Sequence, residues 1–146
     1  SSPGHTLDHL AFYSKKNKFL FSGDALFRLG CGRVFEGTYK QMYETLKLFK
    51  NLDSDISVYC GHEYTFNNLK FLLNTFPNNK KLQEEEIKIL LQIEKTGSSM
   101  PFNLGLEKEL NPFLSSQSTF YSKFKDQKNL TSLEMFSYLR ELKNNF

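Results

Sequence analysis

Three short segments, Pro3-Gly4-His5-Thr6, Ser22-Gly23-Asp24 and Cys60-Gly61-His62-Glu63-Tyr64, each place one metal-binding side chain beside a glycine. Neutral imidazole binds zinc or iron through a ring nitrogen, and a carboxylate binds one metal or bridges two. Glycine next to the ligand lets the backbone turn sharply and aim it. The long intervals between positions 5, 24 and 62 are unlike the local spacing of a zinc finger. Ligands so far apart would have to converge from separate loops at one edge of a sheet. For any one of these residues a hydrogen-bonded structural role or a turn-forming role competes with ligation. His9 reads as structural, or as a support for a neighbouring ligand.

The elements that must position these residues change character near Tyr64. Before it, β-rich runs at His9–Tyr13, Lys18–Ser22 and Ile56–Cys60 read as strands. Between the second and third, Tyr39–Leu52 carries Met42, Tyr43, Leu46, Phe49 and Leu52 at helical spacing with one buried face. After Tyr64 the pattern predicts helices and no strand. Thr65 caps a helix carrying Phe66, Leu69, Leu72, Leu73 and Phe76 that Pro77 closes, and Leu82–Glu94 forms another. Gly97–Pro101 reads as a loop, Asn111-Pro112-Phe113 as a turn, and Thr131–Lys143 as a last helix. The predicted division is residues 1–63 and 64–146.

At 146 residues the chain can bury a core, and its 39% hydrophobic and 24% charged fractions are those of a soluble globular protein. A net charge of +3 is mildly basic; it gives no ground for a nucleic-acid partner and is about as compatible with a small anionic ligand. No apolar run approaches a membrane span, so no membrane partner is expected. Two cysteines, Cys31 and Cys60, make no disulfide framework and favour a reducing compartment. A cytoplasmic location is the expectation, with a mitochondrial or other organellar one left open because the first residue is Ser1 and a preceding segment is expected.

Further motifs narrow the class. Phe21-Ser22-Gly23-Asp24-Ala25-Leu26-Phe27, then Gly30-Cys31-Gly32-Arg33-Val34-Phe35-Glu36-Gly37-Thr38, then Tyr59-Cys60-Gly61-His62-Glu63-Tyr64-Thr65 with Asn68-Leu69-Lys70-Phe71, resemble the glyoxalase II (hydroxyacylglutathione hydrolase) family of the metallo-β-lactamase superfamily. The Asn111-Pro112-Phe113 turn and the basic end Leu139-Arg140-Glu141-Leu142-Lys143 belong to the same resemblance.

The resemblance implies an α+β fold, the second half of an αββα sandwich followed by a small all-helical C-terminal domain. It implies that His5 and His62 are metal ligands and that Asp24 is the catalytic carboxylate bridging two divalent metals. Zinc is expected first, with iron or manganese as alternatives. Cys31 and Cys60 occupy positions where the family has non-ligand cysteines. Arg33, Phe35, Tyr64, Arg140 and Lys143 would bind the glutathione part of the substrate, Phe35 standing where some members have tyrosine. Arg140 and Lys143, three apart on a helix, share a face and could grip one carboxylate. Without the resemblance they read as cations complementing a helix end.

The implied reaction is hydrolysis of S-D-lactoylglutathione, or a related 2-hydroxyacyl thioester, to glutathione and D-lactate by a metal-held hydroxide, in methylglyoxal detoxification. The family's remaining ligands lie in a Thr-His-x-His-x-Asp-His motif upstream of the His5 position, and no such motif occurs in this chain. The expected partner is therefore the missing N-terminal half of the same protein, the complete protein being monomeric. A sheet edge left unpaired without that half tells against independent folding. One alternative is a truncated, non-catalytic remnant or glutathione-binding fragment. Another superfamily enzyme, such as a persulfide dioxygenase with a single iron, is a further alternative, disfavoured by the long helical region.

Overall fold

The computed structural model describes residues 1–146. Its main sheet has the order β1 (Phe12–Ser14), β2 (Phe19–Gly23), β5 (Ser57–Cys60), β6 (Phe102–Asn103). Strands β1 (Phe12–Ser14) and β2 (Phe19–Gly23) form an antiparallel hairpin, and β5 (Ser57–Cys60) runs parallel to β2. A parallel neighbour needs a crossover, which α1 (Tyr39–Lys50) supplies. Thr38 starts that helix with a full capping box, its hydroxyl bonded to the Gln41 N–H and the Gln41 side chain bonded to the Thr38 N–H. Met42, Leu46 and Phe49 on its buried stripe join the core with Leu20, Ile56 and Val58.

Cross-strand register separates the two faces of the sheet. Leu20, Val58 and Phe102 stand opposite one another on the inner face, and all three are buried. Phe12, Phe21 and Tyr59 form the corresponding row on the outer face, 65%, 44% and 38% exposed, with the Phe21 and Tyr59 rings 5.3 Å apart. Three adjacent aromatics left in water make an exposed apolar patch of the kind interaction surfaces carry. What lacks a partner is thus a whole face of the sheet as well as its short edges.

A second, two-stranded unit, β3 (Leu26–Phe27) with β4 (Gly30–Cys31), turns through Leu29 at φ 60°. The helical region packs around this hairpin. It comprises α2 (Thr65–Thr75), α3 (Lys80–Thr96), α4 (Leu104–Leu110), α5 (Thr119–Gln127) and α6 (Ser132–Asn144). Arg28 at the hairpin tip is buried, its Nη2 2.8 Å from Glu85 Oε1 and its Nη1 donating to the Ser99 carbonyl at 2.6 Å. Glu107 Oε2 accepts from the Leu29 N–H at 2.9 Å, Asn111 Nδ2 donates to the Gly30 carbonyl at 3.0 Å, and Asn68 Nδ2 donates to the Arg28 carbonyl at 3.0 Å. Every polar group on this turn that would otherwise be orphaned inside the protein thereby gains a partner. Burial pushes the Glu107 carboxyl up to about 7.

Several expectations need correction. After Tyr64 a strand does occur: β6 (Phe102–Asn103) adds antiparallel to β5. It is two residues long, too short to show a strand period, and exists because β5 offers it an edge. Strand β1 begins at Phe12 and not at His9, whose ring is instead committed to the Asp24 N–H. Tyr64, not Thr65, is the N-cap of α2, and the Thr65 hydroxyl is instead paired with Ser99 Oγ at 2.6 Å.

Candidate metal and substrate site

Asp24 lies just past β2, where Gly23 turns the chain at φ 54°, a conformation that favours glycine. Its carboxylate points between two histidines. Asp24 Oδ2 is 3.5 Å from His5 Nε2 and 3.5 Å from His62 Nε2. Gly61 permits this approach, because a Cβ there would meet Asp24 Oδ1 at 2.4 Å.

The ring of His5 is oriented from behind. Its Nδ1 is 2.8 Å from the Arg33 carbonyl, an acceptor only, so Nδ1 donates there and Nε2 is turned toward Asp24. Phe35 packs edge-on against the same ring at 5.1 Å. His62 is stacked on Tyr64 at 5.1 Å and is more than half exposed. His9 has neither nitrogen free: Nε2 accepts the Asp24 N–H at 3.0 Å and Nδ1 meets Ser2 Oγ at 2.7 Å. Burial, then the neighbouring His5, lowers its pKa, so it serves Asp24 as a neutral acceptor.

The three donors suit a pair of metals in part. Two ligands of one tetrahedral zinc at bonds of about 2.0–2.2 Å lie roughly 3.4 Å apart. Each His–Asp separation of 3.5 Å therefore matches one edge of such a site, with Oδ2 common to both. No three His, Cys, Asp or Glu side chains of this chain form a metal-holding group by themselves. Burial pushes the Cys60 thiol up to about 11 and also raises that of Cys31, so both are protonated at neutral pH.

The ligands open into a cavity of about 840 Å³. His5, Asp24, Arg33, Phe35, His62, Tyr64, Arg140 and Lys143, the eight residues singled out in the sequence, all line it. Arg140 is buried under the cavity wall, its Nη1 donating to the Cys31 carbonyl at 2.8 Å and its guanidinium 5.4 Å from the Phe113 ring centroid. Burial, then Arg140, brings the Lys143 ammonium down to about 8. Asp24 is the only carboxylate side chain on the lining, against the cations Arg33, Lys70, Arg140 and Lys143. Sequence reasoning missed Asn67, Lys70 and Phe146. Asn67 and Lys70 sit one helical turn apart on α2 just after Tyr64, a spacing that could have flagged them.

Residues 2–62, which carry the main sheet's first three strands and the His5, Asp24 and His62 cluster, match the metallo-β-lactamase superfamily. Two solved structures share the fold. ETHE1 from Myxococcus xanthus aligns with a TM-score of 0.51 at 22% identity, over 96% of this chain and 49% of that one. A metallo-β-lactamase from Staphylococcus aureus aligns at 0.50 and 22%, over 97% and 37%. Residues 63–146 match the family described as hydroxyacylglutathione hydrolase C-terminus, and the chain belongs to that family. Curated relatives named hydroxyacylglutathione hydrolase are 44% identical over 146 residues in Bartonella tribocorum and 44% identical over 148 in Psychromonas ingrahamii. The chain spans 58% and 57% of their lengths. No helix is long and apolar enough to cross a membrane.

Proposed function

We propose that this chain supplies the C-terminal part of a hydrolase acting on S-(2-hydroxyacyl)glutathione, with S-D-lactoylglutathione as substrate and glutathione and D-lactate as products, in methylglyoxal detoxification. The observation that carries the reading is Asp24 Oδ2 lying midway between His5 and His62 at the mouth of a cation-lined cavity. His5, Asp24 and His62 would hold two divalent metals, zinc first, with Asp24 shared between them. Bound metals would supply Lewis acidity and make a water acidic enough to attack at neutral pH.

The chain's own residues do the rest. Arg33, Arg140 and Lys143 attract and orient an anionic thioester, and Tyr64 and Phe35 wall the path from that end to the histidines. His9 holds the Asp24 backbone by accepting its N–H. Glutathione leaves as a thiolate of parent pKa about 8.5, so no strong acid has to be placed opposite the carbonyl.

The partner in this reading is the N-terminal part of the protein, which brings the remaining metal donors and covers the outer row Phe12, Phe21 and Tyr59. The two free thiols suit the cytoplasm. A second reading, a glutathione-binding fragment without catalysis, is favoured by one observation: the cationic pocket is built within this chain, whereas the metal-donor set is not closed. Zinc analysis and S-D-lactoylglutathione hydrolysis separate the two. The chain alone should show neither stable binding of two zinc ions nor turnover, and should gain both when joined to an N-terminal half carrying the Thr-His-x-His-x-Asp-His motif. Failure of the joined protein to hydrolyse the thioester would leave the fragment reading.

A further inference from the structure

Asn68 is a fully buried residue of α2 with no direct access to the cavity, yet both halves of its amide are committed. Nδ2 donates to the Arg28 carbonyl at 3.0 Å, and Oδ1 accepts from the Lys143 ammonium. A carbonyl only accepts and an ammonium only donates, so the amide has one possible orientation. Arg28 is itself immobile, paired to Glu85 and the Ser99 carbonyl. Gly30 presses on the other side, where an added Cβ would lie 2.6 Å from the Asn68 amide.

We propose that Asn68 is a positioning residue that fixes Lys143 for an anionic substrate group without neutralising it. The inference rests on the glutathione reading above. An amide oxygen holds an ammonium through a hydrogen bond but carries no charge to cancel it. Lys143 thus keeps its full field in a pocket where its charged neighbours, Arg140 and Arg33, are cations and the nearby Cys31 is a protonated thiol. A bare, mobile lysine would lose rotamer entropy on gripping a carboxylate, and an Asp at this position would pair with the ammonium ahead of the ligand. The Phe71 ring, 5.9 Å from Nζ, closes another approach and leaves the cavity as the direction open to a ligand.

Titration calorimetry of glutathione into the chain, with a double-mutant cycle, tests this. Lys143→Ala should weaken binding about tenfold, the worth of one charge-assisted hydrogen bond. Asn68→Ala should cost about fivefold, and the double variant should bind no worse than Lys143→Ala alone, because Asn68 acts only through Lys143. Nitrogen-15 NMR at pH 6 should show a resolved, slowly exchanging Lys143 ammonium that Asn68→Ala abolishes. Asn68→Ser keeps a hydroxyl able to donate toward the Arg28 carbonyl but is too short to reach Lys143, so it reports even if Asn68→Ala does not fold: the ammonium signal should vanish and affinity should fall about fivefold. Additive losses in the cycle, or an ammonium signal unchanged in Asn68→Ala, would overturn the proposal while leaving the glutathione reading in place. Lys143→Ala without effect would remove both.

Discussion

The hairpin at residues 26–31 and the outer row of the main sheet are both β structure, yet they meet their surroundings in opposite ways. Around the hairpin, Arg28, Leu29 and Gly30 give their polar groups to Glu85, Glu107, Asn68 and Asn111, and nothing is left exposed. On the outer row, Phe12, Phe21 and Tyr59 stand beside one another and Phe19, and all three stay exposed. The helical region packs on the hairpin side, so the difference separates a surface covered within this chain from one left exposed by it. It also divides the site: the cations stand on the hairpin side, and His5 and His62 flank Asp24 at the end of the main sheet.

The contrast predicts unequal responses to substitution. Arg28→Ala removes the 2.8 Å partner of buried Glu85 and leaves it only Lys88 at 3.8 Å, and urea denaturation should show a loss of about 3–5 kcal/mol. A loss under 1 kcal/mol would mean that the hairpin is not what holds the helical region. The Glu107 carboxyl comes next. Its pKa in the fold is raised to about 7, above the unfolded carboxylate value, so its contribution is fully present below about pH 4.3 and is lost as pH rises through 7. Between pH 5 and 8 stability should fall by about 2–3 kcal/mol from this group. Glu107→Gln should flatten that part of the stability curve measured against pH. Thr131→Ala removes the capping box that starts α6, where Thr131 Oγ1 accepts the Glu134 N–H at 3.2 Å, and should lower stability by about 1 kcal/mol. Smallest of all, Phe21→Ser on the open row should change the chain's own stability by less than about 0.5 kcal/mol. The same substitution in a protein carrying the N-terminal half should cost several times more, as loss of a core aromatic does, and equal effects in the two settings would erase the distinction.

The better-read parts of the sequence were those where a single local pattern suffices. The expected helix Tyr39–Leu52 is α1 at Tyr39–Lys50, and Thr131–Lys143 is α6 at Ser132–Asn144, because an apolar stripe and a Thr cap are both visible locally. Helix α4 escaped notice because Gly105 interrupts it and its buried face includes Glu107, a residue type that reads as solvent-facing. In α5 only Tyr121 is buried, so no stripe exists to be seen. Strand β6 and the 26–31 hairpin depend on partners distant in sequence. At the site, a neighbouring glycine singled out His5, Asp24 and His62, which the fold brings together, whereas Asn68 stood in the sequence only as part of the Asn68-Leu69-Lys70-Phe71 motif, with nothing local to show that it is buried. Its importance comes from the carbonyl and the ammonium that folding places on either side.

The grip on the hairpin also bears on how such proteins could be recombined. Residues 63–146 look like a detachable module, but Arg140 is held by the Cys31 carbonyl and Lys143 stands on an amide anchored at Arg28. Transplanting the helices alone onto another sheet of this kind would carry the two cations without the scaffold that aims them. The smallest portable unit is the helical region together with residues 26–31, and chimaeras cut at the visible seam should bind glutathione worse than those cut before Leu26.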